Sequence, residues 1–144
     1  MIGYSALEVF PIELAQLWVR AKDAVNRACD RDFETKPVRC HELARAVAEF
    51  LSLPHACVQD GFYGFVEHSW LWVPGPPESP VTKRLGWPHI LDVYSVGQLP
   101  MVRLVAGDNT GLPHVGWSYR PDSPRTDIDQ AVVERLVLEM RGDR

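Results

Sequence analysis

The stretch Phe65–Val73, FVEHSWLWV, alternates its residues with the period of a β-strand rather than of a helix. Residues two apart share a strand face, so Val66, His68, Trp70 and Trp72 are expected on one side. Phe65, Glu67, Ser69 and Leu71 are then expected on the other. A charged pair, Glu67 and His68, sits inside this otherwise apolar run and asks for a reason.

Upstream of the strand the period changes. Leu14, Leu17, Trp18, Ala21, Ala24, Val25 and Ala28 recur at three- and four-residue spacing, which predicts a core-facing helix from about Pro11 to Cys29. After the polar DRDFETK segment a second helix is expected from near Pro37 to about Leu51, with Cys40, Leu43, Ala44, Val47, Phe50 and Leu51 on its apolar face. Pro54 ends it, since proline disfavours helical angles in the residue before it. HACVQD then reads as a short strand and GFYG as a turn or bulge.

Downstream, Pro74–Pro88 is a proline-rich loop of a length that often serves as a lid or binding loop. HILDVYSV, MVRLVA and HVGWSYRP are expected strands, with Ile90, Asp92 and Tyr94 facing one way. The end of the chain reads as a helix with Thr126 as its cap and Ile128, Val132, Leu136 and Met140 on one face. Helices first and strands after predict an α+β domain: N-terminal helices packed on a largely antiparallel sheet, closed by a C-terminal helix. The expectation is one domain over residues 1–144.

The 144 residues include 46% hydrophobic and 24% charged residues, which argues against disorder. A net charge of −4 without a basic stripe argues against a nucleic-acid partner. No apolar run is long enough to span a bilayer, so no membrane association is expected. The N-terminus lacks the basic segment of a secretory signal, which makes a cytoplasmic location the expectation and leaves open delivery without a signal peptide. Three irregularly spaced cysteines, Cys29, Cys40 and Cys57, do not form a disulfide framework; Cys29 and Cys57 read as structural. Histidine and cysteine are frequent enough to raise zinc, but neither a CxxC pair nor an HExxH motif is present. Adjacent Cys40 and His41 point about 100° apart on a helix. No metal or cofactor is expected.

Cys40, His68 and Asp92 stand out in their order. The first turn of a helix stabilises negative charge and so favours a thiolate at Cys40. His68 can take the thiol proton, and Asp92, on the next long strand, can orient its ring. A carboxylate amid the apolar residues of HILDVYSV is costly unless paired. The backbone amide of Cys40 and the side chain of Gln59 are candidate oxyanion donors. Trp70 can shield the thiolate from water, and Trp87 can close over a substrate.

The segments KPVRCHELARAVAEFL, VEHSWLWV and HILDVYSVG together resemble the transglutaminase-like branch of the papain-like cysteine enzymes. In that group a cysteine starts a helix, a histidine follows on a strand in a histidine–x–tryptophan pattern, and an aspartate follows on a neighbouring strand. The likeness covers about Lys36 to Val96. Arg39 and His41 flank the cysteine where the family often has glycine and an aromatic or small residue before it. The resemblance implies a minimal papain-like core and acyl transfer through a thioester on Cys40, with a protein, peptide or other amide as substrate. Hydrolysis of a peptide or isopeptide bond is favoured narrowly over transfer to an amine. The rival expectation is a catalytically silent member of the same fold that serves as a binding or inhibitory module. Oligomeric state is not encoded in any of these signals.

Overall fold

The structure is a computed structural model that describes residues 12–29, 38–73, 89–94, 101–106 and 118–142. Pro11, Pro37, the Pro74–Pro88 loop with Trp87, and most of Gly107–Arg120 lie outside the described residues. Helix α1 spans Ile12–Cys29 and α2 spans Cys40–Phe50. Five strands follow: β1 Val58–Tyr63, β2 Val66–Val73, β3 His89–Asp92, β4 Arg103–Ala106 and β5 Tyr119–Pro121. Helix α3, Gln130–Met140, comes last. The five strands form one sheet in the order β4-β3-β2-β1-β5, with every pairing antiparallel. This is an α+β architecture with N-terminal helices and a C-terminal helix, as the sequence of periods indicates.

The alternation in β2 divides the core in two. Leu71 and Val73 join Leu91, Leu104 and the buried stripes of the three helices in one cluster. Trp70 joins Tyr63, Ile90, Val105 and Tyr119 in a second cluster on the opposite face, with Trp72 packed against it. On that second face Arg103 of edge strand β4 donates to the hydroxyl of Tyr119 on the other edge strand, at 2.9 Å. Four strand spacings are about 19 Å in a flat sheet, more than two side chains can bridge. The sheet therefore curls, and its concave side holds the aromatic cluster.

Several local expectations are corrected. Helix α2 begins at Cys40, with Arg39 extended at its N-cap (φ −81°, ψ 150°), so Cys40 is its first residue. It ends in a Schellman motif: Leu53 N donates to Ala48 O and Ser52 N to Glu49 O, with Ser52 at φ +58°. His55–Cys57 is a 3₁₀ turn closed by Cys57 N to Pro54 O, so β1 starts only at Val58. β1 then runs through Gly61 to Tyr63, and the hairpin turns at Gly64–Phe65, where Gly64 has φ +62°. Gly61 serves another purpose: a Cβ there would stand 2.1 Å from Arg120 O of β5.

Asp129, not Thr126, caps α3, accepting from Ala131 N and Val132 N. Asp129 is itself extended (φ −86°, ψ 99°), so the helix begins after it and does not reach back to Thr126. Tyr94 does not share the face of Ile90 and Asp92. The chain bends after Asp92, where Tyr94 N donates to Asp92 Oδ1 at 3.0 Å, and Val93 and Tyr94 pack into the helical cluster instead. Glu67 is exposed and pairs with Arg125 at 3.0 Å.

Candidate active site

β2 pairs with β1 as far as Val66, but with β3 only over Leu71–Val73. The first turn of α2 meets β2 where the β3 pairing stops. There two chain-adjacent residues of the helix engage two chain-adjacent residues of the strand: Cys40 meets His68, and His41 meets Ser69.

His68 is 1% exposed and Asp92 is fully buried. Nε2 of His68 lies 3.0 and 2.9 Å from the two carboxylate oxygens of Asp92. Asp92 is acceptor-only when ionised, so Nε2 carries the proton and Nδ1 is the nitrogen open to the thiol. Two further donors hold the carboxylate: Tyr94 N on Oδ1, and the Tyr119 hydroxyl on Oδ2 at 2.5 Å. Arg103 lies 3.8 Å from the same oxygen and behind Tyr119. Burial and the Asp92 charge push the Tyr119 phenol far above its ordinary value, which keeps it a donor. Trp70 stacks on His68 at 6.3 Å and 26°, and Tyr119 and Tyr63 complete the aromatic wall around the imidazole.

The electrostatics follow from these partners. Burial alone pushes the Cys40 thiol up, but hydrogen bonds to His41 and His68 and the charge of both rings bring it down to about 6. Burial alone pushes His68 down, but the charge and hydrogen bond of Asp92, with Cys40 behind them, raise it to about 9. The dipole of α2 adds to the stabilisation of negative charge at its first residue. Between those two values a thiolate faces an imidazolium. Cys29 contrasts with this: buried against α3 and near Glu139, its thiol is pushed up to about 12. Cys57 is half-buried, and all three cysteines are free.

Gln59 is placed differently from the oxyanion donor expected of it. Its amide nitrogen donates to Asp60 O at 2.7 Å and Asp122 O at 3.2 Å, and its oxygen accepts from Trp72 Nε1 at 3.3 Å. Both amide hydrogens are thereby committed to backbone carbonyls. The amide of Cys40 is not engaged by the helix itself, whose first bond runs from Leu43 N to Arg39 O.

Reading the sequence alone missed the role of His41. The 100° step between neighbours separates Cβ directions, yet in the first turn the His41 ring lies back along the thiol, with Sγ 3.6 Å from Nδ1 and 4.0 Å from Nε2. Arg45, Asp60 and Ser69 were likewise missed, because only the packing of α2 on β1 and β2 brings them together. No group of three or more histidine, cysteine or acidic residues among the described residues is arranged to hold a metal ion. A groove of about 450 Å³ opens beyond Arg45, lined by Glu49, His55, Arg125 and Gln130 among others, and neither Cys40 nor His68 reaches it.

Comparison with known proteins identifies no relative: no family model matches the chain, and no curated protein or solved structure matches it either.

Proposed function

We propose that the protein is a cysteine-dependent acyl-transfer enzyme with a minimal papain-like, transglutaminase-like core, and that Cys40, His68 and Asp92 are its catalytic triad. The observation that carries this reading is the depressed thiol of Cys40 at the first residue of a helix, facing an imidazole whose other nitrogen is locked on a buried carboxylate. That is the nucleophile–base–orienter arrangement that acyl transfer needs.

In the resting site Cys40 is a thiolate and His68 an imidazolium. Sγ attacks the carbonyl carbon of an amide, and the carbonyl electron pair moves onto oxygen, where the Cys40 N–H can bind it. Collapse breaks the C–N bond, and the leaving amine takes the proton from His68 Nδ1. The neutral imidazole then accepts a proton from water as water attacks the thioester. The acid departs, and thiolate and imidazolium re-form. Replacing water by an amine turns the same cycle into a transferase, and hydrolysis of a peptide or isopeptide bond is the outcome we favour. Trp70 excludes water from the back of His68. No helix among the described residues is long and apolar enough to cross a membrane, and three free thiols suit the reducing cytoplasm, where we place the enzyme.

The test is site-resolved alkylation by iodoacetamide, read by mass spectrometry. Cys40 should label at pH 7 at least tenfold faster than Cys29, and more slowly in His68→Ala. A Cys40 that labels no faster than Cys29, or whose rate ignores His68, would assign the chain to the silent binding module.

A further inference from the structure

Arg103 takes part in none of the steps above, yet it is a buried cation, 6% exposed, on edge strand β4. It stands directly opposite Asp92 in the β3–β4 register, so the two side chains share the concave face. Its Nη2 donates to the Tyr119 hydroxyl at 2.9 Å, and Tyr119 in turn donates to Asp92 Oδ2 at 2.5 Å. Nη2 is itself 3.8 Å from that oxygen, beyond a hydrogen bond but within the range of an ion pair. Among the described residues no other carboxylate pairs with this guanidinium.

Hydrogen bonding alone does not account for a guanidinium in this place. Its Nε–H is buried and meets no acceptor among the described residues. The rings of Tyr63 and Tyr119 lie 5.3 and 5.9 Å from Cζ instead, and their faces attract positive charge. Burial works against the charged form, but Tyr119 and Asp92 outweigh it, so Arg103 stays a cation. Counting charges gives that cation a use. A thiolate at Cys40, an imidazolium at His68 and a carboxylate at Asp92 sum to one net negative charge in a buried site. Arg103 brings the sum to zero.

We propose that Arg103 is a positioning residue and the counter-ion of the site: through Tyr119 it holds Asp92 in place, and its charge balances the thiolate–imidazolium–carboxylate set. The proposal rests on reading Cys40, His68 and Asp92 as the triad. The titratable and charged groups around the set are Cys40 and His41 on α2, Tyr63 on β1, His68 on β2, Tyr94 beyond β3, Arg103 on β4 and Tyr119 on β5. His89, three residues before Asp92, falls on the opposite face of β3. Behind the helix tip, Arg45 is paired with Asp60 and Arg39 with Glu42, so these charges cancel in place. Arg103 is thus the permanent cation left to the triad. Without it the site relieves its excess negative charge by keeping the Cys40 thiol protonated.

The experiment is the pH dependence of Cys40 alkylation by iodoacetamide in the full chain, for wild type, Arg103→Gln, Arg103→Met, Arg103→Lys and His68→Ala, each checked by thermal melting. The two neutral variants should raise the midpoint by about one unit, and Arg103→Lys, which keeps the charge, should recover at least half of that shift. A side chain that merely fills the edge of the sheet would lower Tm in these variants and leave the midpoint in place. Wild-type midpoints in the neutral variants, or an Arg103→Lys midpoint as high as theirs, would overturn the proposal. If Arg103→Met fails to fold, Arg103→Gln, which retains an amide donor without the charge, decides it. A wild-type midpoint in His68→Ala would overturn the triad reading beneath the proposal.

Discussion

Tyr119, on an edge strand, donates its phenolic hydrogen to Asp92 Oδ2 across the concave face of the sheet. Asp92 is therefore fixed from three directions, by His68, Tyr119 and Tyr94 N, before it orients anything. Tyr119→Phe removes one of these donors without changing ring volume. A lost bond to a charged group is worth roughly 1.5–3 kcal/mol, so Cys40 alkylation should slow by about tenfold and the unfolding free energy should fall by a similar amount. Paired alkylation and urea titrations measure both. Unchanged values in the two assays would mean that Asp92 needs no third donor.

The titrations of Cys40 and His68 set a working window. The thiol is depressed from 9.0 to about 6, so its contribution to stability is complete above 9.0 and is lost as pH falls through about 6. His68 is raised from 6.5 to about 9, so its contribution is complete below 6.5 and is lost as pH rises through about 9. Turnover should describe a bell between about 6 and about 9, while alkylation, which needs only the thiolate, should rise through about 6. An alkylation curve that rises only near 8.5 would contradict the pairing.

The Arg45–Asp60 pair is buried at 2.7 Å and ties α2 to β1. Removing one partner strands the other, so Arg45→Met should cost about 3–5 kcal/mol in chemical denaturation. Asp60 is depressed from 3.8 to about 2, so its stabilisation is complete above 3.8 and disappears as pH falls through about 2. Acid titration of the wild type and of Asp60→Asn should diverge above that range and converge below it.

Ser52 holds a left-handed conformation at the end of α2, where glycine has no Cβ to clash. Ser52→Gly should stabilise the fold by about 1 kcal/mol with no effect on Cys40 labelling. Thermal melting tests it, and a lower Tm would show that the serine side chain has a use of its own.

Gly61 lies under β5, and Gly61→Ala would force Arg120 O away. Overpacking of this kind costs roughly 1–3 kcal/mol. Because Tyr119 neighbours Arg120, Cys40 labelling should slow as well, although Gly61 is not part of the site. Full labelling speed alongside a lowered Tm would uncouple β5 from Asp92.

Periodicity made most of the fold legible. Two faces of β2, amphipathic stripes in three helices and antiparallel strands all follow from spacing, and so does the presence of His68 and Trp70 on one side. Asp92 was conspicuous because a lone carboxylate in a buried strand demands a partner. What stayed hidden depends on distance in sequence. Arg45 and Asp60 are 15 residues apart and Tyr119 and Asp92 are 27 apart, and no local pattern pairs them. His41 was hidden by geometry: helical angles describe where a Cβ points, not where an imidazole two bonds further on comes to rest. Thr126 precedes the apolar run and so resembles a cap, but Asp129 is the residue whose extended backbone and side chain cap the helix.

Cys40 and His68 belong to different elements, 28 residues apart, and meet only where the tip of α2 closes against the end of the β2–β3 pairing. Until that closure the cysteine is an ordinary thiol in a chain still being built or refolded. The lowered thiol is therefore a property of the docked helix and sheet, and the unfolded chain carries only an ordinary cysteine. The same coupling makes the labelling rate of one sulfur atom a clock for the docking of helix to sheet.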